Sequence, residues 1–401
     1  MRRFLLLFMM QAGLPDAMRE IAAGRFERAQ AILEQAEKAD PQNLEVAYRL
    51  GLVLLRAGKL GPAAERLERA VRLNPESPTA WLAVAQVRLK TGARVRAIEA
   101  AERARALAPA GTLRQALAVF FLDAQEPQRV LEIAQESLPL ADRQGQAALH
   151  HLMAQAYALR RDPANAVRSF QEAIRLDPDQ LQYYLPLAQF FFEHRTPEPG
   201  ALVAEAAVRR FPESSEALRM LGLAYYAQGR NGQALEAFLK VLDRDPDRED
   251  VVASLETLLP EAGARMPEII RKLQAFSARR PSSSLGYYLL ALCQESGREA
   301  LLRKAIQVSP GFWPAYFELH KVLKEQQKLA EAVQALERAV ALNPEFAPAH
   351  YDLAQLYGAL GDRTRARQER ERHHQLLSAQ RSAAEKRNAE MPRLSYELPR
   401  R

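Results

Sequence analysis

The stretch from Ser215 to Pro246 reads SEALRMLGLAYYAQGRNGQALEAFLKVLDRDP and contains one full period of a repeat. Prolines that correspond to Pro246 fall at positions 41, 75 and 109, then at 178 and 212, and again at 310 and 344. Within each group the step is 34 residues, and at Pro281 the step is less regular. A fixed period of this length indicates an array of small structural units.

The residues between the prolines resemble the tetratricopeptide repeat, and specifically a bacterial-type member of that family. The marks in the quoted unit are Leu218, Leu221, Gly222, Tyr225, Gly229, Ala234, Phe238 and Pro246. Partial sets of the same marks extend the resemblance over about residues 14 to 378, or about ten units. The resemblance implies an all-α fold, a right-handed α-solenoid (superhelix) of helix-turn-helix repeats.

The spacing has a physical reason. Gly58, Gly92, Gly229 and Gly361 fall at the turn after the first helix, where a residue without Cβ closes a tight bend at little cost. The residue before each proline is pushed out of the α region, which ends the second helix. Small residues fall where the two helices should cross: Ala63, Ala97, Ala166, Ala234 and Ala332.

The pattern weakens in two places, and this sets the predicted organisation. From Thr112 to Gln144 the turn glycine is missing, and from Asp247 to Pro281 there is no Leu-Gly pair. These stretches are either distorted repeats that change the pitch or hinge two arrays, or drifted sequences with the same helix-turn-helix shape. The expected segments are 1–13 as an apolar N-terminal segment, 14–246 as a first array, 247–310 as irregular repeats, 311–378 as the last repeats and 379–401 as a basic tail.

The N-terminal segment Met1–Met10 has two interpretations. It begins with two arginines, and seven consecutive apolar residues follow, so it resembles a secretory signal peptide of minimal length. Alternatively it is a first helix that packs on the end of the array. Pro15 favours a helix that starts near Leu14. We therefore favour export, to the periplasm or outside the cell, over a cytoplasmic location.

Charge is concentrated at the C-terminus of the 401-residue chain, whose formal net charge is +7. From Gly361 onward there are eleven basic and six acidic residues, which leaves a charge of only +2 for the preceding 360 positions. That body lacks the field that phosphate binding needs, so no nucleic acid partner is expected. The tail is expected to be a helix end, from Asp362 to about Arg387, followed by a disordered terminus. Weak contact of the tail with a membrane surface, an acidic partner or RNA is the alternative.

No catalytic, cofactor-binding or metal-binding constellation is predicted. The adjacent histidines of the His150-His151 and His373-His374 pairs point in different directions on a helix. Cys293 is the only cysteine, so it cannot form an intramolecular disulfide, and its apolar neighbours suit a core thiol better than a nucleophile. No apolar run approaches the roughly 20 residues of a transmembrane helix.

The resemblance does imply a binding groove, because in tetratricopeptide arrays the first helix of each unit lines the concave face. Its ligand contacts recur at two positions, one turn apart on the same face of the helix. These positions mix aromatic, amide and basic side chains, which suit an extended or helical peptide. The candidates are Tyr48, Leu52, Leu82, Gln86, His151, Gln155, Leu185, Gln189, Arg219, Leu223, Phe317, Lys321, Tyr351 and Gln355.

We therefore expect a non-enzymatic scaffold or adaptor that binds a protein or peptide in this groove. The clamp that some members use for acidic chaperone tails needs Lys and Asn, where this chain has Tyr48 and Leu52. The alternative function is an accessory subunit of a membrane-associated envelope enzyme or secretion complex, docked by one of its termini.

Overall fold

The computed structural model describes residues 13–108 and 111–390, with side chains to residue 386, and its helices end where the prolines predict. Each second helix that precedes a repeat proline stops two residues before it, as Leu73 does before Pro75 and Leu342 before Pro344. Asn74 has φ −141° and ψ 92°, outside the helical region, because the following proline ring crowds it. The proline period therefore fixes the helix boundaries.

The described residues contain 22 α-helices and no β-strand, which confirms the predicted all-α repeat solenoid. Odd-numbered helices are the first helices of hairpins, and even-numbered helices are the second. The helices are α1 (Gly13–Ala22), α2 (Phe26–Ala39), α3 (Leu44–Arg56), α4 (Leu60–Leu73), α5 (Pro78–Lys90), α6 (Arg94–Leu107), α7 (Thr112–Asp123), α8 (Pro127–Ser137), α9 (Arg143–Leu159), α10 (Pro163–Leu176), α11 (Leu181–Glu193), α12 (Pro197–Arg210), α13 (Ser215–Ala227), α14 (Asn231–Arg244), α15 (Glu249–Leu258), α16 (Met266–Arg279), α17 (Ser284–Cys293), α18 (Arg298–Val308), α19 (Trp313–Glu325), α20 (Leu329–Leu342), α21 (Ala347–Ala359) and α22 (Arg363–Glu390).

The turn inside each hairpin needs one residue with positive φ. Gly58 supplies it at φ 73° between α3 and α4. Where the glycine mark is missing from the sequence, Gln125 and Arg161 adopt the same left-handed conformation at φ 55° and 56°. The turn geometry is therefore kept even where the motif is lost, at the cost of placing a side chain in a strained region.

Small residues allow the two helices of a hairpin to approach closely. Gly222 of α13 faces Phe238 of α14, and Gly51 of α3 faces Leu67 of α4. A Cβ built on Gly222 would lie 2.4 Å from Cε1 of Phe238. The Leu-Gly pair of the motif thus makes room for a large side chain of the second helix.

The two weak stretches remain helical but depart from the regular unit: α7 and α8 pack as a hairpin, whereas α15 and α16 do not pack closely on each other. In the first, α8 ends at Ser137 and a 3₁₀ turn, Leu138–Leu140, leads into the longer helix α9. In the second, α15 is followed by the 3₁₀ turns Leu259–Glu261 and Gly263–Arg265. Whether these stretches are distorted or drifted repeats stays a matter of prediction.

The described chain forms two compact units that divide between Tyr183 and Tyr184, inside α11. In the second unit one apolar core contains Leu218, Leu255, Leu302 and Ala366, so it continues through residues 247–310. The apolar positions of the irregular repeats therefore pack on their neighbours, and an array end at residue 246 stays a prediction. A hinge at 247–310 stays a prediction.

The sequence analysis made a prediction for each terminus, and only the C-terminal one falls partly within the described residues. Residues 1–12, which hold the signal-like segment, lie outside the described residues. At the other end α22 runs to Glu390, slightly beyond the predicted helix end, and its last buried side chain is Leu376. Residues 391–401 lie outside the described part. None of the described helices has the length and apolar character needed to cross a membrane.

Candidate ligand-binding groove

The first helices of neighbouring hairpins lie side by side, which brings equivalent residues together. In the first unit α3 contacts α5, α5 contacts α7 and α7 contacts α9; in the second unit α15 contacts α17. The candidate positions recur once per first helix, so in the first unit these contacts bring the candidates of α3 and α5 side by side. A ligand on this face would therefore touch several repeats at once.

In α3 and α5 the candidates form a mostly apolar strip. Tyr48 and Leu52 are partly buried and pack on the core of the first unit, and the Arg49 guanidinium lies 5.8 Å from the Tyr48 ring. Leu82 is buried, so it has little surface to offer a ligand. Gln86 is half-buried and lines a cavity described below. The strip provides contact area and few charges.

The α9 candidates form a pair with a titratable member. The His151 ring lies 5.8 Å from Phe170 and 5.2 Å from Tyr183, centroid to centroid. Its Nε2 lies 2.6 Å from Nε2 of Gln155, so with the amide donating, the imidazole accepts there and is neutral. Burial lowers the pKa of His151 to about 4. His151 therefore presents an uncharged, aromatic surface near neutral pH.

The next candidates, on α11 and α13, lie in the second unit. Leu185 is partly buried, and exposed Gln189 donates to Oε1 of Glu193 over 3.0 Å. Arg219 is held by an ion pair with Glu216, and this pairing lowers the pKa of the Glu216 carboxyl. Leu223 packs on the core. Arg219 is thus neutralised locally and is oriented by its partner.

The α19 and α21 candidates build an aromatic surface with one cation, Lys321, which also forms an ion pair with Glu318. Phe317 meets Phe346 edge to face at 5.0 Å, and Nζ of Lys321 lies 4.5 Å from the Phe317 ring centroid. Tyr351 is 47% exposed and its ring lies 5.4 Å from that of His373. Gln355 is exposed one turn further along α21. We call Phe317, Lys321, Phe346 and Tyr351 the aromatic face.

A cavity of about 670 Å³ opens where α3, α5 and α7 end, and the sequence patterns did not predict it. Of its residues only Gln86 lies at a predicted contact position, because the others belong to the last helical turns. The sequence did contain one signal of this cavity: α3 ends with Leu55 and Arg56, and α5 ends with Leu89 and Lys90, so each helix ends with an apolar residue followed by a basic one. We call this the turn cavity, and its walls are Leu55, Arg56, Gln86, Leu89, Lys90, Val119, Phe120 and Asp123.

The Cys293 thiol and the metal-ligating side chains are the remaining reactive groups to describe. Burial raises the pKa of the Cys293 thiol to about 11, so this group is protonated at neutral pH and is a poor nucleophile. In residues 13–108 and 111–390 no group of three or more His, Cys, Asp or Glu side chains is placed to hold a metal ion. The chemistry of the first-helix face is that of contact surfaces.

Comparison with known proteins identifies the repeat. The family profile described as "Tetratricopeptide repeat" matches residues 20–87, 147–180 and 200–249. The profile described as "TPR repeat" matches residues 321–361. The matches fall in both compact units. They include the quoted stretch and skip the two weak stretches found in the sequence.

The chain is similar to a curated relative and to solved structures that include the two described next. Small glutamine-rich tetratricopeptide repeat-containing protein 2 of Saccharomyces cerevisiae is 34% identical over 82 residues, which is 20% of this chain and about a quarter, 24%, of that protein. A tetratricopeptide repeat protein from Parabacteroides merdae has a TM-score of 0.46 at 16% identity, covering 62% of this chain and 98% of that one. Yeast Tom70 has a TM-score of 0.40 at 14% identity, covering 92% of each chain. At these scores and identities no function is transferred.

Proposed function

The chain belongs to the tetratricopeptide repeat family, and on that premise we propose that it is a non-enzymatic scaffold whose first helices bind a peptide segment of a protein partner. Members of the family act as protein-interaction scaffolds, which supports a general adaptor role. The finer proposal is that the predicted contact positions hold the partner.

The aromatic face carries this proposal. Phe317 and Tyr351 occupy equivalent positions on α19 and α21, and Lys321 lies one turn from Phe317. Partly exposed aromatic side chains next to a cation are typical of the anchors that dominate protein–protein interfaces, because they offer large contact area at little entropic cost. The neutral His151–Gln155 pair adds a similar polar and aromatic contact on α9.

Site-specific photocrosslinking tests the proposal. A benzophenone amino acid at position 351, on a first helix, should crosslink to a partner protein, whereas the same group at position 338, on second helix α20, should not. Both native residues are exposed, so both variants are expected to fold. Equal crosslinking at the two positions, or at neither, would contradict binding by the first helices.

Substitution of the predicted contact residues should identify the same binding surface as crosslinking. We expect the combined Tyr48→Ala, Arg219→Ala and Tyr351→Ala variant to lose partners that wild type captures. The matched control, Arg72→Ala, Lys240→Ala and Arg338→Ala, changes three exposed residues of second helices and should retain them. A partner set that the first variant leaves unchanged would refute the proposed contact positions.

The alternative, an accessory subunit docked by its basic tail, can be tested by truncation. Helix α22 continues for about four turns past Leu376, its last buried side chain, so residues 379–401 can be removed without exposing the described core. If this alternative holds, the truncated protein should lose association with membranes. Unchanged association would refute docking by the tail.

A further inference from the structure

The turns that join α3 to α4 and α5 to α6 concentrate positive charge. Residues 53–62 and 87–96 contain six basic side chains and no acidic one: Arg56, Lys59, Arg88, Lys90, Arg94 and Arg96. The two turns lie at the same edge of the first unit, because α3 and α5 run side by side in the same direction. Averaging charge over the whole body conceals this local excess.

Two of the six side chains are neutralised by acids. Arg88 pairs with Glu68 at 2.9 Å. Arg94 pairs with Glu126 at 2.7 Å and also donates to the carbonyl of Ala124. These contacts fix both guanidinium groups, so neither is available as a free cation.

The other four, which we call the basic rim, have no acidic partner within the described residues. The members are Arg56, Lys59, Lys90 and Arg96, and all are exposed. Arg56 lies over the Phe26 ring at 5.3 Å, and Lys59 donates to the neutral amide of Gln30 over 2.9 Å. The basic rim is therefore a set of uncompensated charges that would attract an anion.

Two of the four basic-rim residues line the turn cavity. Arg56 and Lys90 line its walls, while Leu89, Val119 and Phe120 supply apolar surface. Val119 is 45% exposed and so offers accessible apolar surface to a ligand in the cavity. A volume of about 670 Å³ lies within the range of small ligand pockets. It accommodates one or two bulky side chains with part of their backbone.

We propose that the turn cavity binds an acidic peptide segment, with a bulky apolar side chain inserted between α5 and α7 and flanking carboxylates against the basic rim. This inference rests on the proposed function and specifies its partner. A concave cavity with apolar walls matches an inserted side chain better than a flat bilayer surface. The cavity lies at the ends of α3, α5 and α7, and Gln86 is the one predicted contact position among its walls. Asp123 is the single acid in the wall and would face the apolar part of the peptide.

Fluorescence anisotropy with synthetic peptides and the full chain tests the proposal. The probe is a fluorescein-labelled dodecapeptide in which Leu and Phe alternate with Asp and Glu. One matched peptide carries Asn and Gln in place of the acids, and a second carries Ala in place of Leu and Phe. Both should bind at least about tenfold more weakly than the probe, because each lacks one half of the recognition. Affinity for the probe should also fall as salt rises.

Charge-reversal variants locate the binding site. Lys90→Glu with Arg96→Glu should weaken probe binding by about tenfold or more, since two attractions become repulsions. Arg72→Glu with Arg143→Glu is the control, because it makes the same change in net charge at the opposite edge of the first unit. Val119→Glu places a like charge at the cavity and should also weaken binding. Circular dichroism should show wild-type helicity for all three proteins.

Four results would overturn the inference: no binding of the probe, equal weakening by the control, equal binding of the uncharged peptide, or rim-dependent binding of phosphatidylglycerol vesicles or oligouridylate without peptide binding. Crosslinking at position 351 separates this failure from that of the proposed function. If position 351 still crosslinks a partner while the probe does not bind, the scaffold function stands and the acidic-peptide site is refuted.

Discussion

Gly222→Ala tests whether the Leu-Gly pair of the repeat exists to seat a large side chain of the second helix. The added Cβ would lie 2.4 Å from Cε1 and 2.6 Å from Cδ1 of Phe238. The Phe238 ring is only 1% exposed, so it is enclosed and has no open space to move into. Helix α13 must therefore move away from α14, or the ring must leave its preferred rotamer.

Two opposing effects determine how much Gly222→Ala changes the free energy of unfolding. Alanine is favoured over glycine inside a helix by about 1 kcal/mol. Overpacking a closed core costs about 1 to 3 kcal/mol, and a contact this short belongs at the upper end. We therefore expect Gly222→Ala to lower the free energy of unfolding by about 2 kcal/mol, although the helix itself gains.

Urea unfolding of the full chain, followed by circular dichroism, measures the effect. The control is Gly232→Ala in α14, where a Cβ would meet no atom within 4 Å, so the substitution should leave stability unchanged or raise it. Adding Phe238→Leu to Gly222→Ala should recover part of the loss, because the smaller side chain relieves the contact. If Gly222→Ala stabilises the protein as the control does, the steric explanation is wrong.

Two further predictions concern the first unit. Because burial holds the pKa of His151 at about 4, against 6.5 for an ordinary imidazole, stability should fall as the pH drops from about 6.5 toward 4. Between pH 7.5 and 5.0 the wild type should lose about 2 kcal/mol more than His151→Gln in urea unfolding, and an equal loss would contradict a buried neutral imidazole. Gln125→Gly should raise the thermal unfolding midpoint, because Gln125 has φ 55°. The control Gln135→Gly, inside α8, should lower the midpoint, because glycine costs a helix about 1 kcal/mol of stability. A change of the same sign in both variants would refute the argument from turn strain.

The predicted contact positions show how much of the candidate site could be predicted from the sequence. Periodicity placed Phe317 and Tyr351 at equivalent points of α19 and α21, and the structure gives both side chains accessible surface. The same pattern placed Leu82 on this face, yet its side chain is buried. A repeat position specifies a direction from the helix axis, whereas burial depends on the size of the side chains in the neighbouring repeats. The binding role of these positions stays a prediction.

The turn cavity could not be predicted from the sequence, and the reason is different. Its walls come from the last turns of three helices, and those residues are separated by up to about 70 positions along the chain. The charge of its rim depends on pairing: Arg94 finds Glu126, while Lys90, in the same turn, finds no acid within the described residues. The motif says nothing about residues outside its marks, so sequence reasoning averaged these charges away.

By itself the sequence determined the all-α repeat architecture, the place where most helices end and the residues that close most hairpin turns. Those features obey local constraints, such as the backbone angles before proline and the free φ of glycine, which a residue carries wherever it occurs. Only the tertiary structure decided that the core continues through residues 247–310, that the His151 imidazole is neutral, and that two unpaired cations line an apolar cavity. These features depend on contacts between neighbouring repeats, such as the Arg94–Glu126 ion pair, so they follow from how the repeats pack.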